Sequence, residues 1–320
     1  MRAFTICSNN YLHKAATLLS SIKKLSDVPV YLFLADVKNK TIDYSQFGFA
    51  EVVLLEDLQI PNLQWMKENY SIVELNTAIK PFAFSYLFQK TDADSLYYFD
   101  PDIYVYQPLS QFKSLWEAGS VLLTPHILTA IPIDEKFPGE NLFLNHGIYN
   151  LGFLALKKDK VAFNLLKWWS DRLAEKCIID LAEGYFVDQL WFNLVPILFK
   201  SVVITDHLGC NVAYWNLHER SISQTGGTYV VNNSLPLMFY HFSGIDSDLE
   251  QIHYHEKYRF NFDDQPSLRT LYKEYLEAVN THQPESYLQY QYFDGHYPIL
   301  PSRPTIISRA LSKIKRFPNK

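Results

Sequence analysis

The chain has 320 residues, 48% of them hydrophobic and 20% charged, which suits a globular protein with a sizeable core. Its 22 Phe, 22 Tyr and 6 Trp supply too much buriable surface for a disordered chain. A formal net charge of -5 argues against general nucleic-acid binding, and no glycine-rich dinucleotide or P-loop signature occurs among the 11 glycines, so those phosphate cradles lose their sequence support.

The elements alternate along the chain. Residues 2–8 read as a strand entering a polar turn at Ser8-Asn9-Asn10. Residues 13–25 read as a helix, with Ala16, Leu19, Ile22 and Lys23 at helical spacing. Residues 28–35 and 51–55 are further strands. Residues 71–88 are helical in pattern, with Pro81 marking a complication or a break, and 95–99 form a fourth strand. Strand signals follow at 120–124, 147–156 and 202–205, with helical patterns at 160–173 and 187–194 and a Pro-, Asp-, Glu- and Gly-rich loop at 133–141. This rhythm predicts an α/β fold with a mainly parallel sheet covered by helices. The expected organisation is one catalytic domain over 1–244, an extension packed on it over 245–301, and a tail over 302–320.

The tail differs from the rest. It holds six basic residues and no acidic ones, whereas residues 1–301 hold 23 basic and 34 acidic. Ile306, Ile307, Ala310, Leu311, Ile314 and Phe317 recur at helical spacing, so the segment reads as a basic amphipathic helix suited to an anionic membrane surface. An ordinary surface helix is the plainer alternative. The N-terminus lacks the long apolar core and cleavage site of a secretory signal, and residues 190–199 are too short to span a bilayer. Cys7, Cys177 and Cys210 are too few and scattered for a disulfide framework or a cysteine-rich zinc site. A reducing, cytoplasmic setting is expected.

The sharpest local feature is Tyr97-Tyr98-Phe99-Asp100-Pro101-Asp102-Ile103. An apolar strand runs into two aspartates two positions apart, which in extended chain point to one face. Pro101 belongs at a strand end or edge, where ligands of open α/β sheets bind. Two convergent carboxylates there suit a hard divalent cation that grips phosphates. The acid and base of a glycoside hydrolase instead flank the scissile bond from different sides. A solvated Asp-Pro turn is the third reading.

An ordered series of segments resembles the GT-A glycosyltransferases, and within them the family 8-like sugar transferases of bacterial surface polysaccharide synthesis. The series is Ser8-Asn9-Asn10-Tyr11, Lys80, Asp100-Pro101-Asp102, Asn150-Leu151-Gly152-Phe153, Asp188-Gln189 and His241-Phe242-Ser243-Gly244, and the resemblance covers roughly residues 2–244. It implies a GT-A fold and metal-dependent transfer of a sugar from a nucleotide-sugar donor, a UDP-sugar above all, with retention of configuration. A glycan or lipid-linked glycan would be the acceptor. Asp100, Asp102 and His241 would hold Mn2+ or Mg2+, a mixed donor set suited to Mn2+. Ser8, Asn9 and Tyr11 would line the base and ribose, and Lys80 the donor sugar and phosphates. Asn150 and Gly152 would flank the sugar, with glycine permitting close approach. Asp188 and Gln189 would contact sugar hydroxyls and the anomeric face. The alternative on the same fold is a non-catalytic nucleotide-sugar or glycan-binding protein.

The resemblance departs at two points. The family's acidic residue near the base is replaced by Ser8 and Asn9, and its lysine after the His-x-x-Gly segment is missing, so either the phosphate loses one cation contact or Lys257 or Arg259 substitutes. Among the remaining candidates, His253-Tyr254-His255 lacks companion ligands at metal spacing, and Trp168, Trp169 and Trp215 read mainly as packing. His146 and Asn145 are candidates for the acceptor side.

Overall fold

All seven expected strands share one sheet, and its order explains where the site forms. In the computed structural model, which describes residues 1–245 and 249–295, β1 (Arg2–Cys7), β2 (Val30–Leu34), β3 (Glu51–Leu54) and β4 (Ser95–Phe99) are mutually parallel neighbours. After β5 (Ile103–Val105), β6 (Val121–Leu123) and β7 (Phe153–Lys157) extend the sheet, with β7 antiparallel to both β4 and β6. The short β8 (Ile179–Asp180) and β9 (Tyr185–Phe186) pair with each other, and β10 (Val202–Ile204) closes the sheet's far edge. The order is β10-β6-β7-β4-β1-β2-β3, a mixed and mainly parallel sheet.

Alternation along the strands divides the core into two layers. Phe4, Leu96, Tyr98, Leu154 and Leu156 pack one face with Phe84 and Leu87 and with Leu165 and Trp169. Those partners lie on α4 (Lys80–Lys90) and α7 (Lys160–Lys176); the other helices to this point are α1 (Leu12–Lys23), α2 (Leu63–Asn69), α3 (Ile72–Ala78), α5 (Leu109–Phe112) and α6 (Glu140–His146). Ala3, Tyr97, Phe99, Phe153 and Ala155 pack the opposite face with Leu18 and Ile22 of α1 and Phe112 of α5. Much of the aromatic content is consumed here: Phe99, Phe112, Phe153 and Phe239 all meet with ring centroids 4.9–6.2 Å apart.

Several expectations shift. The helical pattern over 71–88 divides at Ile79, and Pro81 sits in the first turn of α4, where a missing N–H costs nothing. The expected strand over 147–156 begins only at Phe153, because Gly147–Gly152 turns across the sheet end. The helix expected over 187–194 shrinks to α8 (Gln189–Phe192), followed by α9 (Val195–Leu198) with Pro196 in its first turn.

The hairpin strands β11 (Ile222–Thr225), β12 (Thr228–Val231) and β13 (Leu235–Pro236), then β14 (Phe239–His241), follow. β14 pairs antiparallel with β5, setting His241 opposite Ile103. Beyond them, α10 (Pro266–Asn280) buries Leu268, Leu271, Tyr272 and Tyr275 against Tyr240 and Phe242, with Phe242 and Tyr275 stacked at 3.8 Å. α11 (Glu285–Leu288) places Tyr287 against Leu12, Leu32 and Tyr44. The extension thus packs through α10 on β14 and the residues after it, and through α11 on α1 and β2. The basic segment 302–320 lies outside the described residues. No helix among the described residues is long and apolar enough to cross a membrane.

Candidate active site

The C-terminal ends of β1 and β4 open into a cleft of about 250 Å³ lined by Ser8, Tyr11, Asn76, Lys80, Asp100 and Asp102, among others. Strand β4 stops at Phe99, and Asp100-Pro101-Asp102 forms a tight turn closed by the Ile103 amide on the Asp100 carbonyl at 3.1 Å. The carboxylates therefore converge through a turn rather than an extended strand, because Pro101 offers no N–H for ladder pairing. The β5–β14 register then delivers His241. Its Nε2 lies 3.0 Å from Asp102 Oδ1 and 3.9 Å from Asp100 Oδ2. One ligand atom from each of the three residues falls within 4.8 Å of the others, and among the described residues this is the metal-competent cluster.

The cluster is tightly supported. Tyr98 OH donates to Asp100 Oδ1, leaving Oδ2 to face His241. Burial alone would favour neutral forms, but the opposed charges win: Asp102 raises the His241 pKa, and His241 holds Asp102 down at about 2. Gly152 closes one wall. A Cβ there would sit 2.6 Å from His241 Cε1, 2.8 Å from Asn150 Oδ1 and 2.9 Å from Asp100 Oδ2. Oxygen and imidazole donors on a floor that admits no side chain suit a divalent cation such as Mn2+ or Mg2+.

Lys80 is 5% exposed and Asp188 2%. Lys80 Nζ sits 3.0 Å from Asp188 Oδ2, donates to the Leu151 carbonyl at 2.9 Å, and lies 4.8 Å from the Tyr98 ring centre. Burial pushes Asp188 up to about 6 against the pull of Lys80. Burial also disfavours the Lys80 ammonium, but Asp188 and Asp100 outweigh that and raise its pKa. Gln189 ties two loops together, donating to the His146 carbonyl at 2.8 Å and accepting from the Leu151 amide at 3.3 Å. Gly147 ends α6 at φ 118°, where its missing Cβ lets the Gln189 backbone approach. Asn150 lies behind the cluster, its Oδ1 3.3 Å from His241 Nδ1.

At the Ser8–Tyr11 end of the cleft the sequence expectation changes for Asn9. Tyr11 is half-exposed in the cleft, and Ser8 Oγ donates to Asn10 Oδ1 at 2.7 Å. The Asn9 side chain turns away, donating to the Val37 carbonyl at 2.9 Å and accepting from Tyr44 OH at 2.5 Å. It braces β1 against the segment after β2 and does not line the cleft.

Three residues escaped the sequence reading. Asp36, just past β2, accepts from the amides of Asn9, Val37 and Phe293 at 3.1, 2.8 and 2.7 Å. Asn76 lines the cleft with a buried Oδ1 that has no hydrogen-bond partner. Tyr292, from the extension, lines the same cleft. An aspartate directly after an apolar strand was a usable signal for Asp36; Asn76 and Tyr292 carry none.

Other candidates resolve as structure. Trp215 is an edge-on wall 5.2 Å from His241, and Trp169 is core whereas Trp168 is partly buried. His253 and His255 stack on Phe137 at 5.2 and 4.2 Å. Arg259, considered as a substitute phosphate contact, is engaged by Asp134 and the Pro138 carbonyl.

No family model matches the chain. The uncharacterized protein YfnF of Bacillus subtilis (strain 168) is 29% identical over 288 residues, spanning 87% of this chain and 92% of that protein. Among solved structures, galactosyltransferase LgtC, determined with donor and acceptor sugar analogues, superposes with a TM-score of 0.51 at 13% identity, covering 88% of this chain and 96% of that one. The WbbM bifunctional glycosyltransferase gives 0.50 at 11% identity over 90% of this chain, which spans about half (51%) of WbbM. The chain therefore has the GT-A fold of these glycosyltransferase structures.

Proposed function

We propose that the protein is a metal-dependent glycosyltransferase that moves a sugar from a nucleotide-sugar donor to a glycan or lipid-linked glycan. The observation that carries this reading is the meeting of Asp100, Asp102 and His241 at the mouth of a cleft also lined by Tyr11 and Lys80. A cation bound there, Mn2+ or Mg2+, would supply positive charge to a departing diphosphate.

The chain's own groups complete the assignment. Tyr11 offers a stacking face for the base, and Ser8 and Asn76 line the cleft around it. Lys80, charged and oriented by Asp188, adds a second cation where negative charge develops. Gly152 would form the floor of the sugar position with Asn150 behind it, and Asp188 and Gln189 would stand toward its anomeric side. Their amide and carboxylate oxygens favour the positive charge that builds at an anomeric carbon, and transfer with retention belongs to this reading. A UDP-sugar as donor, surface polysaccharide as product and a cytoplasmic location, peripheral on the membrane through the basic tail, complete the proposal.

The test is a thermal-shift screen of nucleoside diphosphates and nucleotide sugars with and without Mn2+, followed by donor turnover. Stabilisation that requires Mn2+ and disappears in Asp102→Ala supports the reading. Metal-independent binding that survives the substitution overturns it. Mn2+-dependent binding without turnover of any donor would instead select the non-catalytic binding protein.

A further inference from the structure

Behind the Asp100–Asp102–His241 cluster, three buried side chains form a hydrogen-bonded row whose polarity is set by backbone groups. The Gly152 amide points at Asn150 Oδ1 from 3.1 Å. An amide N–H only donates, so the Asn150 oxygen faces Gly152 and its nitrogen faces the other way. That nitrogen lies 3.2 Å from His126 Nε2, which must accept from it. At the far end His126 Nδ1 lies 3.1 Å from the Ile148 carbonyl, which only accepts, so Nδ1 carries the ring hydrogen. On the near side the same Asn150 oxygen meets His241 Nδ1 at 3.3 Å. His241 therefore carries hydrogen on Nδ1 and turns Nε2 toward the two carboxylates. Each link admits one direction only.

We propose that His126 is a positioning residue: its Nε2 locks the Asn150 amide, and Asn150 in turn holds His241 with Nε2 aimed at the cation. The inference rests on the metal reading above. An amide turned the other way would set its NH2 against both the Gly152 N–H and the His241 Nδ1–H, displacing His241 or moving its hydrogen onto the ligating nitrogen. His126 also has a packing role, since its ring stacks on Phe143 at 5.1 Å and meets Trp215 edge-on at 5.4 Å. The two roles are separable, because an aromatic hydrocarbon can fill the slot without accepting a hydrogen bond.

The experiment compares wild type, His126→Phe, His126→Gln and Asp102→Ala as full chains. Mn2+ is titrated calorimetrically, and 15N-histidine NMR is recorded on the Mg2+-loaded protein. Loss of a ligand's direct hydrogen-bond partner costs about 10- to 100-fold in metal affinity, and His126 acts one residue further out, through Asn150. His126→Phe should therefore weaken Mn2+ binding by about tenfold, the low end of that range, and His126→Gln, whose amide oxygen can accept, should recover most of it. The wild-type spectra should show Nδ1–H rings at both His126 and His241.

Wild-type Mn2+ affinity in His126→Phe overturns the proposal, as does equal loss in the Phe and Gln variants, which would mark a packing role. If His126→Phe fails to fold, the wild-type spectra decide: hydrogen on Nε2 of His126 refutes the row. Failure of the metal reading itself is distinct, because Asp102→Ala would then bind Mn2+ as wild type does, or wild type would not bind it.

Discussion

Gly152→Ala is the most demanding test of the site, because the added methyl meets three groups of the cluster at once. Its Cβ would lie 2.6 Å from His241 Cε1, 2.8 Å from Asn150 Oδ1 and 2.9 Å from Asp100 Oδ2. Ordinary carbon contacts begin near 3.5 Å, so each neighbour would have to retreat by roughly half an ångström or more. None is a free end. His241 is held between Asp102 and Asn150, Asn150 between His126 and Gly152, and Asp100 by Tyr98. Overpacking of this kind costs about 1–3 kcal/mol. Metal ligands tolerate displacements of only about 0.2 Å, so the larger effect falls on the cation. We expect Mn2+ affinity to drop at least about tenfold, with a modest loss of stability. Calorimetric Mn2+ titration and urea unfolding of the two proteins measure both. Unchanged Mn2+ affinity in a folded Gly152→Ala protein would refute the placement of the cation on this floor.

Three further outcomes are expected. Lys80→Met leaves Asp188 buried without its partner, so urea unfolding at pH 7 should show a loss of about 3–5 kcal/mol, and Lys80→Met/Asp188→Leu should recover much of it; a loss under 1 kcal/mol would show that the pair is not an integral one. Tyr98→Phe releases Asp100 Oδ1 and should weaken Mn2+ binding up to about tenfold, seen by calorimetry, whereas equal affinity would show that Tyr98 does not orient the carboxylate. Burial lowers the His126 pKa to about 3, so the unfolded chain binds the proton first. Its stabilising effect is complete above about pH 6.5 and is lost as pH falls toward 3, at up to about 1.4 kcal/mol per pH unit. Urea unfolding between pH 7 and 5 should therefore fall more steeply in wild type than in His126→Phe, and parallel curves would count against a buried neutral ring.

Local patterning made most of the sheet legible. β1, β2, β3 and β4 lie where apolar runs end in turn residues, and α1 and α7 where apolar spacing is helical. Boundaries failed where a backbone event overrides pattern. Gly147 at positive φ keeps 147–152 out of β7, and the helical spacing over 187–194 lasts only one turn before the chain bends toward Pro196.

The site divides the same way. Asp100 and Asp102 were readable because two aspartates around a proline at a strand end are local facts, needing only the strand to stop. Their third partner sits 139 residues later, and only the pairing of β14 with β5 sets His241 opposite Ile103. The Lys80–Asp188 pair, the row from His126 to His241 and the arrival of Tyr292 at the cleft depend equally on contacts between distant segments. Periodicity reports which face of an element is buried, but not which other element covers it. The sequence by itself determined an α/β chain with a carboxylate pair at a strand end; register and packing decided what surrounds that pair, because hydrogen-bond partners at long separation are chosen by the folded geometry and leave no periodic trace.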